Sequence, residues 1–576
     1  MRMDRTFDLL DLVLAGADGN GFLHEKTDDG YRQISPADVS QRTRHIAGYL
    51  KAKGLKKNDR IILMPEAASA SWVLIDLVAQ SLGLVVVMVH ATTTLAQLHH
   101  IVEETEAKLL VCYKAQLRVV SKSLIAMITP RVMMDSRVET PQEEEVDGTA
   151  NPIDPTMLSS IIYTSGTTGE PKGVMLSHGN IMSNVQAIVL LMPLDSSQRI
   201  ISYLPYSHVF ERTLIYAYLA HRAHIYFIES AQHLAESLQI VRPHFFTAVP
   251  RILEKMHQQG LNHIATQRWA SRKLMSWALR VSENYQPHRD RRKWLTIQFI
   301  RHILFRGFRK KLGNEVIAIL VGAAHLRPQV GRVFQAAGIA VREGYGMTET
   351  SPVVTVNRFE PGLHRLGTVG LPLPGVEVRI DDPDEQGAGE IKVRGPNVMM
   401  GYFARTEETS IVLDDAGWLA TGDVGIMDDR GFLRITDRSK DIFKTSLGKY
   451  IAPQELANHF KDSEWVEDIF IVGFQRPYVT ALILPDFERL EIWAGLNEVH
   501  WTSPKYMVHN IRIRERLQTE VENLNASLAN HKKVRNFHLL PEAFSMEQNL
   551  LSNTLKPIRK SILEFYEKEI GKLYDN

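Results

Sequence analysis

Short apolar runs separated by helical or loop segments recur between Leu158 and Leu320: Ile161-Ile162-Tyr163, Ile200 to Leu204, Ile225 to Ile228, Phe245 to Val249 and Ile317 to Val321. That alternation predicts layered α/β structure with mainly parallel sheets. Upstream, Leu109-Leu110-Val111-Cys112 reads as a buried strand. The most apolar long stretch, Trp72 to Val89, is interrupted by Asp76, Gln80 and Gly83. It predicts a buried helix followed by the strand Leu84 to Val89 rather than a membrane span, which needs about 20 apolar residues. From Val376 the pattern changes. Val376, Val378 and Ile380, then Ile391 and Val393 after the Gly387-Ala388-Gly389 turn, alternate with polar positions. This is the period of half-exposed strands and predicts a small β-rich, barrel-like subdomain near residues 350 to 435. Beyond Asp437, Leu517, Val521, Leu524 and Leu528 step by four, three and four, the stripe of an amphipathic helix in a smaller α+β domain. The expected division is a large N-terminal domain over 1–437 and a C-terminal domain over 438–576. The acidic stretch Glu139 to Asp147 reads as a solvated loop between strands.

Charge narrows the partners. The 576 residues carry 67 Lys plus Arg against 66 Asp plus Glu, so no global field attracts a nucleic acid. A single cysteine, Cys112, excludes an internal disulfide and a cysteine metal cluster. The start, Met1-Arg2-Met3-Asp4-Arg5, lacks the apolar core and cleavage site of a signal peptide, so a cytoplasmic location is expected. His99, His100, Glu103 and Glu104 share a helical spacing that could make a metal site, but without further ligands they read as an ordinary helix face.

The strongest chemical signal is Tyr163-Thr164-Ser165-Gly166-Thr167-Thr168-Gly169-Glu170-Pro171-Lys172-Gly173, after the apolar strand Leu158 to Ile162. Small residues let backbone N–H groups approach an anion, hydroxyls add donors, and Lys172 supplies a positive charge. The string is built to hold phosphate. It is not the loop of the common nucleotide triphosphatases, because Pro171 and Gly173 stand where glycine and a magnesium-binding hydroxyl would be needed.

This string resembles the phosphate loop of the acyl-adenylate-forming (AMP-binding) superfamily, which includes acyl-CoA synthetases, peptide-synthetase adenylation domains and firefly luciferase. Gly344-Tyr345-Gly346-Met347-Thr348-Glu349-Thr350 resembles its second nucleotide motif. The resemblance implies that Tyr345 packs near adenine, Thr348 approaches the α-phosphate and Glu349 helps hold Mg²⁺, for which a hard oxygen ligand is suited. Gly322-Ala323-Ala324 resembles the small-residue turn against the adenine. Thr421-Gly422-Asp423 and Asp437-Arg438, whose acids stand 14 residues apart, resemble the ribose contacts, with Asp423 accepting from the hydroxyls and Arg438 assisting. Lys440 takes the position of the hinge between the two domains. Asn553-Thr554-Leu555-Lys556-Pro557-Ile558-Arg559 is similar to the terminal motif carrying the catalytic lysine, here Lys556. A cation is valuable where a carboxylate meets the α-phosphate of ATP, because two negative groups are brought together. Pro557 directly after it departs mildly from the pattern.

Leu204-Pro205-Tyr206-Ser207-His208-Val209-Phe210-Glu211-Arg212 resembles the motif between nucleotide and acyl pocket, and its ending looks like the long-chain fatty-acid branch; His208 is taken to line the acyl site. The strings Asp437 to Lys444 and Gly448 to Pro453 are also similar to long-chain acyl-CoA synthetases, with Gly448 facing the reaction centre during thioester formation. The resemblance implies ATP-dependent formation of acyl-AMP from a long-chain fatty acid with release of pyrophosphate, then transfer to CoA, with the C-terminal domain moving between the halves. ATP, Mg²⁺ and CoA are the implied cofactors and co-substrates. An adenylating enzyme that serves acyl carrier protein or another acceptor, and a non-catalytic nucleotide-binding regulator, are the alternatives. Retention of Lys172, Glu349, Asp423, Arg438 and Lys556 argues against the regulator. Finally, the basic stretch 289–311, interleaved with Trp294, Ile297, Phe299, Ile300, Ile303 and Phe305, reads as a helix on the surface of an anionic membrane or as a solvated helix covering the core.

Overall fold

The apolar runs become the strands of two large sheets in the computed structural model, which describes residues 3–16, 20–28, 30–113, 126–128, 153–165, 171–265, 267–285, 294–438, 441–446, 449–545, 547–548, 550–551 and 557–575. Chain contacts divide it into two compact units. The first comprises Met1–Arg379, Lys392–Ala420 and Asp428–Leu433; the second comprises Ile380–Ile391, Thr421–Met427 and Arg434–Asn576.

In the first unit, a seven-stranded sheet runs in the order Gly401–Tyr402, Pro171–Ser177, Leu158–Ser165, Val85–Met88, Arg60–Met64, Leu109–Cys112 and Ala126–Ile128. The last five are parallel, and Val85–Met88 and Leu109–Cys112 are wholly buried, which is why their sequences are unbroken apolar runs. A nine-stranded sheet runs in the order Leu371–Pro372, Val353–Val356, Ala340–Gly346, Ala318–Val321, Phe245–Ala248, Arg199–Ser202, His224–Phe227, Leu23–Thr27 and Gly30–Gln33. Its inner strands are parallel, and only the edges are antiparallel.

The helix Ala70–Ser81 is buried along nearly its whole length, including Asp76 and Gln80. Two polar groups in so apolar a helix need partners, and they have them. Arg212, in the helix Val209–Ala220, donates to both Asp76 oxygens at 2.8 and 2.7 Å, and to Ser160 Oγ at 2.8 Å. The hydroxyls of Tyr206 and Tyr216 donate to Asp76 Oδ2 at 2.7 Å each, and Gln80 Nε2 donates to Asp76 Oδ1 at 2.7 Å. Burial works against the guanidinium charge, but Asp76 more than offsets it and holds Arg212 above its ordinary range. This network fixes the position of the Pro205–Arg212 string inside the first unit.

A four-stranded sheet, in the order Glu377–Asp381, Gly389–Arg394, Leu419–Met427 and Leu433–Arg438, forms where alternating residues were read as half-exposed strands. In the second unit a three-stranded sheet, Val466–Val472, Val479–Pro485 and Val534–Leu539, packs with Phe460, Trp465, Ile513, Leu517 and Val521. The helix Ile511–Asn525 starts at Asn510, whose Oδ1 accepts from the amide of Arg512 at 3.0 Å. It stops at Asn525, which exchanges two 2.9 Å hydrogen bonds with the backbone of Val534. Leu528, read as part of its stripe, therefore lies past the helix, yet packs on the same core.

Candidate functional site

In open parallel sheets ligands bind beyond the carboxyl ends of the strands, and three motifs sit there on strands of the nine-stranded sheet. Ala318–Val321 runs into Gly322-Ala323-Ala324; Ala340–Gly346 runs into the one-turn Thr348–Thr350; Arg199–Ser202 leads through Pro205 to His208. Ala323 takes a left-handed φ of 71°, turning the chain sharply as the strand ends. Gly322 lies against the Phe210 ring, where an added Cβ would stand 2.9 Å from the nearest ring carbon. The turn read next to adenine and the string read next to the acyl pocket are therefore in contact. Ala323 and Ala324 face solvent.

Gly346 is demanded by packing rather than by torsion. A Cβ there would fall 1.9 Å from the Pro352 carbonyl oxygen, so the strand can turn back on itself only without a side chain. At Gly344 the clearance to the Thr355 carbonyl is 3.2 Å, and Tyr345 lies across from Thr355 beside a register irregularity. Thr348 is partly exposed, while Glu349 is buried. His208 caps the helix Val209–Ala220, its Nδ1 accepting from the Phe210 amide at 3.3 Å. Glu211, one turn in, is a buried carboxyl that accepts from Ser202 Oγ at 2.5 Å, and burial pushes it up to about 7.

The phosphate string is not all loop. Tyr163–Ser165 and Pro171–Gly173 are strand residues of an antiparallel hairpin, with Thr164 opposite Lys172 and Ser165 opposite Pro171. Cross-strand pairing wins over the poor strand propensity of this composition. Gly166, Thr167, Thr168 and Gly169 lie outside the described residues, as do Lys440, Gly448 and Lys556.

Lys172 brings in partners that no motif revealed. Its Nζ pairs with Glu408 and lies 5.2 Å from the centre of the Tyr402 ring. The Tyr402 hydroxyl donates to Glu349 Oε1 at 3.0 Å. Thus the loop lysine and the acid of the second nucleotide motif are bridged by one tyrosine. Burial, reinforced by Glu349, holds the Tyr402 phenol protonated well above its ordinary range. Arg405 donates to Glu408 at 3.0 Å and lies 3.4 Å from Glu104, which also accepts from Tyr163. Glu104, read as part of an ordinary helix face rather than a metal site, braces the hairpin. Gly401, with a φ of 136°, and Ala404, a non-glycine residue with a φ of 55°, flank Tyr402 with unusual backbone. Among the described residues no group of three or more His, Cys, Asp or Glu side chains could hold a metal ion alone.

Behind these strand ends lies a small apolar cavity of about 50 Å³. Phe210 and Leu214 wall one side, Val321 and Gly344 another, and Ile188 and Leu191 a third. Two arginines on the border are spoken for: Arg342 lies 4.9 Å over the Phe359 ring, and Arg358 donates to the Pro372 carbonyl at 2.9 Å.

In the second unit Arg438 Nε lies 3.2 Å from Asp423 Oδ1, so the two residues read as ribose contacts stand together. Thr421 Oγ1 anchors the turn to the Ile391 carbonyl at 2.7 Å, and Gly422 has a φ of 70°. The Arg438 side chain is 46% exposed, so this pair adds little to stability and can exchange its partner for a ligand. Asp437 is held differently. It accepts from the amides of Arg438 at 2.6 Å and Gln454 at 2.8 Å, satisfying the first turn of the helix Pro453–Lys461, and burial pushes it up to about 6.

Comparison with known proteins agrees with this geometry. The family model described as AMP-binding enzyme matches residues 20–403, and that of the AMP-binding enzyme C-terminal domain matches residues 440–576. Long-chain-fatty-acid–CoA ligase 1 of Cavia porcellus is 30% identical, over 95% of this chain and 83% of its own length. A long-chain-fatty-acid–CoA ligase of Mycobacterium bovis is 26% identical over 96% of each chain. Among solved structures, the adenylation domain of a carboxylate reductase from Mycobacterium chelonae superposes with a TM-score of 0.76 at 21% identity, covering 99% of this chain and 91% of that one. ATP-bound MatB from Rhodopseudomonas palustris gives 0.71 at 22% identity, covering 98% and 99%. These two share the fold. Together with the matches along both parts of the sequence, they establish that the chain belongs to the AMP-binding enzyme family, the adenylate-forming acyl-CoA ligases.

Proposed function

We propose that this protein activates a long-chain fatty acid with ATP and transfers the acyl group to CoA. The observation that carries the reading is the apolar cavity between Phe210, Val321 and Gly344, directly behind the strand ends that bear the nucleotide motifs. Its walls are almost entirely apolar and suit an alkyl chain.

In the first half of the reaction a carboxylate oxygen attacks the α-phosphorus of ATP, the bond to the bridging oxygen breaks, and pyrophosphate leaves with its electrons. In the second half the CoA thiol attacks the acyl carbonyl, loses its proton, and AMP departs. The protein positions and neutralises, and no covalent enzyme intermediate is needed. Lys172 and the backbone of its hairpin hold the outer phosphates, Tyr345 and Gly322-Ala323-Ala324 flank the adenine, and Asp423 with Arg438 holds the ribose. His208 closes the acyl site, Lys440 is the hinge, and Gly448 gives CoA close passage. Mg²⁺ suits Glu349: magnesium is bound by one or two carboxylates plus substrate phosphates, and one buried carboxylate with a fixed tyrosine partner is that kind of half-site. When bound, the ion neutralises phosphate charge.

Two outcomes check these assignments. Glu349→Gln keeps an acceptor for the Tyr402 hydroxyl but removes the charge. It should raise the Mg²⁺ concentration needed for half-maximal pyrophosphate release by about 10- to 100-fold; an unchanged magnesium titration removes Glu349 from the metal role. Leu191→Trp, at a partly exposed edge of the cavity, should lower the kcat/KM ratio of a sixteen-carbon over an eight-carbon acid by a factor on the order of ten or more, since each methylene excluded costs about 1–3 kcal/mol. An unchanged ratio in a direct competition assay shows that the chain lies elsewhere.

A further inference from the structure

Positive charge is dense over residues 268–311. Residues 268–311 contain 13 Lys and Arg against the two acids Glu283 and Asp290, a local excess of 11 in a chain whose net charge is only +1. Eight of these cations lie on described helices, beside apolar side chains that are turned outward. In the helix Trp269–Glu283, Ala278 and Ser282 are buried, while Trp269 is 69% and Trp277 38% exposed, two turns apart on the opposite side. In Trp294–Phe299 and the π-helical turn Ile300–Leu304, Ile297 and Ile300 are buried, while Leu295 is 73% and Ile303 60% exposed. The inward faces of both elements meet in one cluster with Val333, Ala336 and Ala337 of the helix Pro328–Ala336 and its end. Their outward faces are therefore both turned away from that helix.

We propose that this face docks on an anionic lipid bilayer. Two features select that occupant. Tryptophan, leucine and isoleucine flanked by Arg272, Lys273, Arg280, Arg306, Lys310 and Lys311, all exposed, form the composition of an interfacial element: apolar side chains enter the headgroup boundary while cations meet lipid phosphates. Lys273 lies 5.4 Å over the Trp269 ring, so the cation and the aromatic are presented together. The one acid of these helices, Glu283, is drawn aside toward His257 at 3.7 Å. A protein partner or second copy would need an acidic, apolar counter-surface, whereas a negatively charged bilayer supplies both properties at once. No described helix is long and apolar enough to cross a membrane, so the contact is made on the surface.

The inference does not depend on which acid is activated, and its test needs no turnover. The full chain is mixed with phosphatidylcholine vesicles, with or without about 30 mol% phosphatidylglycerol, and the bound fraction is read by flotation. Binding is expected to the anionic vesicles, weak to the neutral ones, and lost near 1 M salt, where screening acts within about 3 Å. Arg272→Glu/Lys273→Glu/Arg306→Glu/Lys310→Glu should weaken it by a factor on the order of 100 or more, at about fivefold per charge. Trp269→Ser/Leu295→Ser/Ile303→Ser should weaken it at low salt while circular dichroism stays unchanged, as expected for exposed positions. Equal binding to both vesicles, absence of binding, or unaltered binding by both folded variants overturns the proposal. Loss of a dimer in the serine variant without vesicle binding would overturn it in favour of a second copy.

Discussion

Lys556→Ala is expected to slow acyl-adenylate formation by a factor on the order of 100 or more, while thioester formation from supplied acyl-AMP changes far less. The reason is the charge of the first transition state. An incoming carboxylate and a phosphate both carry negative charge, and a cation held between them acts most strongly where they are closest. Once acyl-AMP exists, a thiol attacks a carbonyl and that repulsion is gone. A single lysine is therefore worth much in one half-reaction and little in the other. Single-turnover measurements on each half separate the two, and equal loss in both would contradict the assignment. Lys172, in contrast, is already paired with Glu408 and near Tyr402, which suits a residue that binds the outer phosphates and is released from its protein partner as they arrive.

The second large effect is on stability. Asp76 is 0% exposed, and the Arg212 side chain is 2% exposed, with the two joined by a bidentate pair. Asp76→Ala leaves a buried guanidinium without its counter-charge and deprives Tyr206, Tyr216 and Gln80 of their common acceptor. Breaking a buried pair in this way costs about 3–5 kcal/mol. Hydrogen exchange read by mass spectrometry should show faster exchange by about two to four orders of magnitude in the helices Ala70–Ser81 and Val209–Ala220. The double change Asp76→Leu/Arg212→Met should recover much of the loss, because apolar replacement of both partners avoids the unpaired charge. A cost below about 1 kcal/mol for the single variant would mean that the network is not what positions the Pro205–Arg212 string.

Local patterns were legible in this chain, and pairing at a distance was not. The strands at Leu109–Cys112 and Val85–Met88, and the helix Ala70–Ser81 before the latter, were legible because periodicity and burial are local properties of the chain. The nucleotide motifs were legible because their strings resemble those of a known family, and at Gly346 the 1.9 Å conflict with the Pro352 carbonyl shows why a glycine stands there. What escaped was pairing at a distance. Asp76 was visible only as an interruption, and nothing near it names Arg212, 136 residues on. Arg212 itself belonged to a string matched to the acyl site, yet its side chain turns into the core. Tyr402, Glu408 and Arg405 carry no motif, and their role around Lys172 and Glu349 arises only when the strand Gly401–Tyr402 joins the edge of the seven-stranded sheet. The hairpin form of the phosphate string was hidden for the same reason, since its glycines and threonines argue locally for a loop.

The central claim is that the apolar cavity and the nucleotide motifs serve one reaction. It is tested most directly by pyrophosphate release from ATP across saturated acids from about two to eighteen carbons, with and without CoA, and with mass detection of the acyl product. Release that rises with long chains and yields the CoA thioester is the result predicted. Acyl-AMP that accumulates and ignores CoA, or no release with any acid, would contradict it.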